Sequence, residues 1–512
     1  MRIPHEYNTI NKEELSMKKA LAMVLALVML MGCLSGCGNS SNETEAQTKA
    51  TEAQTSAATS GNDATEATTE AATEEKEWFG TEDGKTVTIN FWAGIQPEYG
   101  YDQMVKNFNE EYKDKGVQIE YTRFVNNAEG NLQLETYLMG GGTVDVFMNY
   151  GGRSQLDTRV ESNMILDISD MLEAYGFDPV AELGEASMAN FTYDDGSCYG
   201  FPTKYENNRW MLVNVDMFEA AGVEVPYDGW TYSEFLAALE KLTHGEGQDK
   251  VYGAHMTIKG VSAGLPNILG SVLGGNAVYA DAEGTKLNYD NKVWTEAFQM
   301  LKTGIDNGWI ISLEDEVSES LSVANCFLEE KCAVSTNISQ MRLCMDTATY
   351  PHDFTTALVP GPVPDGEEYN TEYYRTHASA AGAGDTICIA QNTAYPEACF
   401  EFIMWYVKGG MAPLAKGGRI PLWSGFDQSL VVEVLKENAG DALDMESLSN
   451  YLSIDNTKGV VDVNGYAASE IQTVWLEELH EMAYGRKSVE DALASIMTRG
   501  QALIDTAIAN EK

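Results

Sequence analysis

The sequence predicts an α/β fold built on a parallel sheet, and the alternation of two periodic patterns carries that prediction. Residues 87–92 alternate apolar and polar side chains as a strand does, and 117–121 and 144–149 are the next two strand candidates. The stretches between them place apolar side chains at helical spacing. Strand, helix, strand, helix, strand is the order of a parallel sheet with right-handed crossovers.

The two predicted helices each have their own signal. In the first, apolar side chains recur every three to four residues, at Tyr101, Val105, Phe108 and Tyr112. In the second, Leu134 and Leu138 lie one turn apart, and the glycines at 140–142 end the helix.

The length and the charge of the chain limit the classes of function that it can have. The chain has 512 residues with 78 acidic and 33 basic side chains, a net charge of −45, and 44% hydrophobic residues. Residues 1–37 carry +1 and 38–77 carry −7, which leaves −39 for 78–512. This composition excludes a nucleic-acid partner bound through its phosphates and disfavours anionic ligands. The length suggests two to three domains, and a body of two lobes fits.

The first 36 residues read as an export signal. Lys18 and Lys19 precede a short apolar run at 20–31, and 34–37 (Leu-Ser-Gly-Cys) resemble the bacterial lipobox, which implies a lipid on Cys37. The polar stretch before Met17 is unusual for a signal, so we expect translation to begin at Met17. The alternative is a plain secretory signal in which Cys37 is incidental.

The segment from 37 to 77 reads as a tether. It is rich in Ser, Thr, Ala and Glu and contains no aromatic side chain, so it cannot bury enough surface to fold. A lipidated Cys37 followed by this linker would hold the protein on the outer face of the cell membrane.

Six of the eight cysteines lie after Cys37, none in a CxxC pair. A body of this size does not require disulfides, so we expect most of the six to be small core residues, with pairing left open.

The order and spacing of many short motifs resemble family 1 extracellular solute-binding proteins of carbohydrate ABC transporters. The resemblance covers nearly all of 85–510, although each motif alone is weak. The matching segments are 199–202 (Tyr-Gly-Phe-Pro), 214–218, 221–226, 230–236, 269–301, 327–334, 381–389, 396–402 and 418–421 (Gly-Arg-Ile-Pro).

This resemblance implies a periplasmic-binding-protein-like fold of type II, in which two α/β lobes, joined by crossing hinge segments, close on a ligand in the cleft between them. The N-terminal lobe would comprise 78–198 plus about 357–415, and the C-terminal lobe 199–356 plus about 416–512. The implied function is capture of a carbohydrate and its delivery to an ABC transporter permease, by a monomer without cofactor, metal or enzymatic activity.

Topology supplies the first site candidates. In an open α/β sheet the ligand crevice lies beyond the carboxyl ends of the strands. The residues that follow the first and third predicted strands are therefore candidates, with a buried core role equally open for Trp92 and an exposed turn expected for Tyr150 because glycines follow it. These candidates are Trp92, Gln96, Asn149, Tyr150 and Arg153.

The resemblance implies further contacts, since sugars bind to planar aromatic rings and to polar side chains that match their hydroxyls. The candidates are Tyr205, Glu206 and Asn207 at the first crossing between the lobes, Asn337 and Gln340 in the second lobe, Gly382 and Gly384 as points of close backbone approach, and Trp423 as a stacking residue. The alternative for the residues of the crossing is a solvated loop, and the alternative for the two glycines is simple packing. Trp475 is expected in the core.

Two other functions stay open. A surface glycoside hydrolase would need two carboxylates about 5–10 Å apart across a cleft, and the sequence supplies acids but no recognisable pair. The six histidines are scattered, without HExxH, GxSxG or zinc-type cysteine spacing. Alternatively, the same fold binds a peptide, a polyamine or another small solute.

Overall fold

The computed structural model describes residues 86–141, 143–188, 191–193, 195–205, 209–260, 268–269, 280–281, 284–366, 385–453 and 466–510. The predicted signal, the alternative start at Met17, Cys37 and the linker to 77 lie outside these residues. Within them, no helix is both long and apolar enough to cross a membrane.

The first sheet has five strands in the order β2-β1-β3-β10-β4. β1 pairs in parallel with both β2 and β3, which confirms the parallel sheet that the alternating pattern predicts. β10 comes from much later in the chain and pairs antiparallel with β3 and β4. The strands are β1 (Val87–Ala93), β2 (Val117–Arg123), β3 (Val146–Asn149), β4 (Phe201–Pro202) and β10 (Thr386–Ile389).

The crossovers of this sheet are helical, as predicted. α1 buries Tyr101, Met104 and Phe108 on one face, and α2 begins at an Asn127 side chain that accepts from the Gly130 N–H. The helices before the second sheet are α1 (Tyr101–Glu111), α2 (Ala128–Met139), α3 (Gly152–Glu161), α4 (Ser169–Tyr175), α5 (Pro179–Leu183) and α6 (Glu185–Met188).

The second sheet has four strands in the order β7-β8-β6-β9, and a separate two-stranded ribbon joins β5 to β11. β7 and β8 are parallel, whereas β6 is antiparallel to both β8 and β9. The remaining strands are β5 (Lys204–Tyr205), β6 (Trp210–Asn214), β7 (Tyr252–His255), β8 (Cys332–Ser335), β9 (Thr356–Pro360) and β11 (Ile420–Pro421).

Helices cover the second sheet and complete the first core. The predicted capping box at Thr231 and Glu234 is present at the start of α8. The helices are α7 (Val215–Ala221), α8 (Tyr232–Leu242), α9 (Lys292–Asp306), α10 (Leu313–Ser318), α11 (Met341–Met345), α12 (Pro396–Trp405), α13 (Gln428–Ala439), α14 (Met445–Leu452), α15 (Ala468–Ala483) and α16 (Val489–Asn510).

Two hydrophobic cores stabilise these layers. Phe91 and Phe402 pack edge to face in the first, and Trp475 packs on Trp294 in the second, which confirms Trp475 as a core residue. Neighbouring residues of β9 belong to different cores, Leu358 to the first and Val359 to the second. The second sheet is therefore buried on both faces, because successive side chains of a strand point to opposite sides.

The predicted lobe boundaries remain a proposal. The first sheet draws its strands from 87–202 and 386–389, and the second from 210–360. The predicted boundary near residue 357 falls within β9, a strand of the second sheet. α13 and α14 contribute to the first core, although the prediction placed 416–512 in the second lobe.

Candidate functional site

The carboxyl ends of β1 and β3 meet at one edge of the first sheet, where the sequence predicts part of the site. Phe91 and Trp92 pair with Val146 and Phe147, so both strands end at the same edge. Trp92 is 6% exposed, and its ring centre lies 5.0 Å from that of Tyr137. The structure therefore places this indole in the core.

Asn149 is buried inside a hydrogen-bonded network. Its Oδ1 accepts from Nη1 of Arg159 at 2.6 Å, and Nη2 of Arg159 donates to Oδ1 of Asn131 and Oε1 of Glu135, at 2.8 and 3.1 Å. Burial lowers the pKa of Arg159, and the Glu135 carboxylate opposes that effect. The amide oxygen of Asn149 therefore already accepts a hydrogen bond from within the protein.

The expectation that Tyr150 is exposed is wrong. The turn exists, since Gly151 and Gly152 both have positive φ, but the Tyr150 ring folds inward and is 7% exposed. Its hydroxyl accepts from the Gly94 N–H at 2.8 Å. A buried phenol is stable here because its polar end satisfies a backbone donor at the end of β1.

Arg153 and Gln96 lie at the same edge with more exposure. The Arg153 Nε donates to Oδ1 of Asp157 at 2.7 Å, and its guanidinium lies 4.0 Å from the centre of the Tyr193 ring. Gln96 is half-buried and precedes the 3₁₀ turn Pro97–Tyr99. The ion pair and the ring together fix the Arg153 side chain.

Several predicted contacts fall outside the described residues. These are Glu206 and Asn207 of the first crossing and both Gly382 and Gly384. The backbone of Tyr205 is described, and it pairs with Ile420 in the β5–β11 ribbon.

A small polar cavity opens where segments of both sheets meet. Its volume is about 180 Å³, and it is lined by Ile95 after β1, Lys204 of β5, residues 338–342 after β8, residues 417–420, and Tyr451 of α14. Typical ligand pockets are larger, at about 300–1,000 Å³, so this cavity has room for one part of a ligand. Of the predicted residues whose side chains are described, Gln340 lies in this lining.

Two cations of the lining share one buried carboxylate. Asp385 directly precedes β10, with its Oδ2 at 2.9 Å from the Arg419 Nε and its Oδ1 at 3.9 Å from the Lys204 Nζ. The side chains of Lys204, Arg419 and Asp385 are 15%, 11% and 6% exposed. The pairing of Lys204 with Pro421 brings the two cations to the same place.

The charges of this cluster are stabilised by one another. Burial alone would raise the pKa of the Asp385 carboxyl, but Arg419 and Lys204 outweigh burial and hold this pKa below its usual value. Burial would likewise lower the pKa of Arg419, but Asp385 together with the hydroxyl groups of Tyr101, Tyr150 and Tyr406 outweighs burial and raises it. The Asp385 carboxylate and the Arg419 guanidinium are therefore both charged at neutral pH.

Asn337 and Trp423 lie outside the cavity lining. The Asn337 Oδ1 accepts from the Ser339 hydroxyl at 2.7 Å, directly before the residues that line the cavity. The Trp423 indole N–H donates to Oε2 of Glu182 in α5 at 2.7 Å. That bond holds the indole against α5.

Comparison with known proteins decides the family. The family model of bacterial extracellular solute-binding proteins matches residues 103–433, more than half of the chain. The chain belongs to this family. The predicted family and the predicted periplasmic-binding-protein-like α/β fold are thereby confirmed, and the protein is an extracellular solute-binding protein.

Solved structures of sugar-binding proteins are similar to this solute-binding protein in fold. A sugar transporter from Rhizobium etli in an open conformation has a TM-score of 0.60 at 19% identity, and covers 81% of this chain and 98% of its own. An ABC substrate-binding protein from Listeria monocytogenes in complex with cycloalternan has a TM-score of 0.60 at 19% identity, and covers 83% and 99%. A cyclic α-maltosyl-1,6-maltose binding protein from Arthrobacter globiformis has a TM-score of 0.59 at 17% identity, and covers 82% and 100%. No curated protein matches the chain.

Sequence reasoning missed the cations that line the cavity of this solute-binding protein. Arg419 lies inside the Gly-Arg-Ile-Pro motif and Lys204 two residues after the Tyr-Gly-Phe-Pro motif, but neither is among the predicted contacts. Arg342 follows Gln340 by two residues. Their convergence depends on strand pairing between segments more than 200 residues apart, which no local pattern contains. In the described part of the chain, no group of three or more His, Cys, Asp or Glu side chains could hold a metal ion.

Proposed function

We propose that this solute-binding protein captures a carbohydrate outside the cell and delivers it to an ABC transporter permease. The polar cavity carries the proposal, because the ends of the first and second sheets contribute to it together. Its lining of amide, hydroxyl, guanidinium and one phenol ring suits a polyhydroxylated ligand. The sugar-binding proteins of the same fold support that choice of solute.

The lobes that we propose would close on the ligand by a hinge motion. The predicted contacts outside the described residues, Tyr205 with its side chain, Glu206, Asn207, Gly382 and Gly384, belong to this proposal, as do Gln96, Arg153, Asn337 and Trp423. Closure would bury the sugar and leave it chemically unchanged.

We also propose that the protein is a monomer held on the cell membrane by a lipid on Cys37. The lipobox-like residues 34–37 and the acidic, Ser/Thr-rich linker that follows support this anchor. Two acyl chains give stable anchoring where one would be marginal. Mass spectrometry of the amino-terminal peptide would show the lipid, and an unmodified Cys37 in the mature protein would contradict it.

Identification of the ligand retained by the purified protein tests the proposed solute directly. We expect mass spectrometry to find a glycan, and the same glycan to raise the midpoint of thermal unfolding, because a ligand that binds the native state alone stabilises it. If no member of a broad glycan panel raises the midpoint, while peptides or polyamines do, the carbohydrate assignment is wrong.

Incubation of the pure protein with oligosaccharides distinguishes a receptor from a glycoside hydrolase. We expect oligosaccharides to be recovered intact after prolonged contact with the pure protein. Release of shorter sugars that scales with protein concentration would favour the hydrolase.

A further inference from the structure

The cavity lining is cationic although the protein is strongly acidic. Of the twelve described residues that line it, three are basic and none is acidic, whereas acidic side chains outnumber basic ones by 78 to 33 in the whole chain. The carboxylate of Asp385, which pairs with Lys204 and Arg419, is not part of this lining. A local cluster of positive charge on an otherwise acidic protein favours the binding of an anionic group at that place.

Arg342 provides the clearest anion contact. Its Nη2 donates to the neutral Oε1 of Gln340 at 3.2 Å, and its guanidinium lies 5.4 Å from the centre of the Tyr99 ring. Within the described residues, no carboxylate forms an ion pair with it. A guanidinium held by a neutral amide and an aromatic ring keeps donors for a carboxylate or a sulfate.

Lys204 and Arg419 line the same cavity as Arg342. Strand pairing in the β5–β11 ribbon fixes both, and both are 15% exposed or less. Nearly buried cations are stable when counter-charge surrounds them, so a ligand anion in the cavity would add to what Asp385 supplies.

We propose that the solute is an anionic carbohydrate, whose uronate or sulfate group binds in this cavity at Arg342, with Lys204 and Arg419 in the same lining. This inference rests on the proposed carbohydrate function. The charge of the whole protein disfavours an anionic ligand at long range, but salt screens that field beyond about 8 Å. At contact distance the three cations dominate, and the cavity accommodates one charged sugar unit while neighbouring units extend from it.

Matched pairs of glycans test the charge requirement. Galacturonate and glucuronate oligosaccharides are compared with galactose and glucose oligosaccharides of the same linkage, and a sulfated oligosaccharide is compared with its desulfated form, by calorimetry on the full-length protein. We expect an anionic member to bind at least tenfold more tightly than its neutral partner, with an affinity that falls as NaCl rises from 0.05 to 0.5 M. Tighter binding of the uronate oligosaccharides would identify the anionic group as a carboxylate, and tighter binding of the sulfated oligosaccharide would identify it as a sulfate.

Substitution at Arg342 separates the proposed contact from general electrostatics. We expect Arg342→Gln to weaken binding of the anionic glycan at least tenfold without changing the unfolding midpoint by more than about 2 °C, and Arg342→Lys to restore part of the affinity. Arg486→Gln removes the same charge from an exposed site, where Arg486 pairs with Glu481, and should leave the affinity unchanged.

The outcomes distinguish this inference from the function on which it rests. If neutral glycans bind as well as anionic ones, or if Arg342→Gln leaves the anionic affinity intact, the charged solute is refuted and carbohydrate capture stands. If no glycan of either kind binds, both are refuted.

A second and independent observation concerns two buried cysteines, Cys326 in the helical turn Val323–Phe327 and Cys332 at the start of β8. The Sγ atoms of Cys326 and Cys332 lie 3.3 Å apart, and both residues are 0% exposed. The Lys331 N–H donates to the Cys326 carbonyl, which closes the turn between them, and Glu330 in that turn has a positive φ of 56°. The turn thus holds the two sulfur atoms together whether or not they are bonded.

We infer that Cys326 and Cys332 form a disulfide in the exported protein. The oxidant is the disulfide of a thiol oxidoreductase, which takes two protons and two electrons from the two thiols. The bond between the Sγ atoms of Cys326 and Cys332 forms, and the disulfide bond of the oxidoreductase breaks to give a dithiol. An extracellular location favours this reaction. In the folded protein, burial raises the pKa of the Cys332 thiol well above its usual value and keeps the oxidoreductase from reaching it. We therefore expect the two cysteines to be oxidised before folding is complete.

Peptide mapping tests the bond directly. Trypsin cuts after Lys302, Lys331 and Arg342, so Cys326 and Cys332 fall in separate peptides, 303–331 and 332–342. We expect a non-reduced digest of the exported protein to contain the two peptides joined, and a reduced digest to contain them apart. Two separate peptides that carry alkylated cysteines in the non-reduced digest would overturn the inference.

Thermal unfolding supplies the second readout. Dithiothreitol present during unfolding should lower the midpoint of the wild-type protein by about 2–4 °C, because the closed loop is short and the body is large. Cys326→Ser should abolish this sensitivity. Cys344→Ser, at another buried cysteine, should retain it. A wild-type midpoint that dithiothreitol leaves unchanged would contradict a stabilising disulfide.

Discussion

The two edges that face the proposed cleft differ in how they use their polar groups. At the edge of the first sheet, Asn149 and Tyr150 are buried and bonded to Arg159 and to the Gly94 N–H. Beyond the end of β8, Gln340 and Arg342 bond to each other and line the cavity. Asn149 and Tyr150 therefore serve as scaffold, whereas Gln340 and Arg342 offer polar groups to a ligand. Topology predicts the first pair as contacts and the family resemblance predicts Gln340, but neither predicts Arg342.

The largest effect on stability should come from the buried network of the first edge. We expect Arg159→Met to lower the free energy of unfolding by about 3–5 kcal/mol, because it leaves the Glu135 carboxylate and the Asn149 amide without their buried partner. Denaturant titration measures this loss. Arg486→Met, at an exposed pair, should cost at most about 1 kcal/mol. Equal costs at the two sites would contradict the scaffold role.

The shared carboxylate of the cavity should give the next largest effect, together with a pH signature. We expect Asp385→Asn to destabilise the protein by about 2–3 kcal/mol at pH 7, because Arg419 and Lys204 lose their counter-charge.

The sign of the pH dependence follows from the lowered pKa of Asp385. The stability that this carboxylate contributes is fully present above the ordinary aspartate pKa of about 4, and is lost as the pH falls through the lower pKa of the folded state. The difference in unfolding free energy between the wild type and Asp385→Asn should therefore shrink in acid. A difference that stays constant from pH 7 to pH 2 would contradict the ion pairs.

A smaller effect should follow removal of one hydroxyl at the first edge. We expect Tyr150→Phe to cost about 1–2 kcal/mol, since the half-buried Gly94 N–H loses its acceptor. The affinity for the retained ligand, measured by calorimetry, should change less than twofold. A large loss of affinity with unchanged stability would instead make Tyr150 a ligand contact.

The smallest effect on stability should appear at the second edge, where affinity changes most. We expect Gln340→Ala to leave the unfolding free energy within about 0.5 kcal/mol, because Gln340 is half-buried and its partner Arg342 remains accessible to water. Ligand affinity should fall about tenfold through loss of a direct hydrogen bond and of the bond that orients Arg342. Unchanged affinity would exclude Gln340 from the site.

Local patterns predicted the local structure well. The alternation at 87–92 became β1, the spacing of Tyr101 and Phe108 became α1, and Thr231 caps α8 as expected. These features depend on neighbours a few residues apart, which the sequence displays directly. The direction in which Tyr150 points could not be predicted in this way, because its hydrogen-bond partner Gly94 is 56 residues away.

Periodicity and motif order are properties of the chain, so they are enough to predict the first strands and helices and the resemblance to solute-binding proteins, and the composition gives the acidic charge. Which polar residues remain open to a ligand depends instead on how the chain packs in three dimensions. Lys204, Arg342 and Arg419 share one cavity because β5 pairs with β11 and α11 follows the end of β8. Such convergence depends on the packing of distant segments, since a side chain becomes a contact only when its neighbours in space leave its polar atoms free.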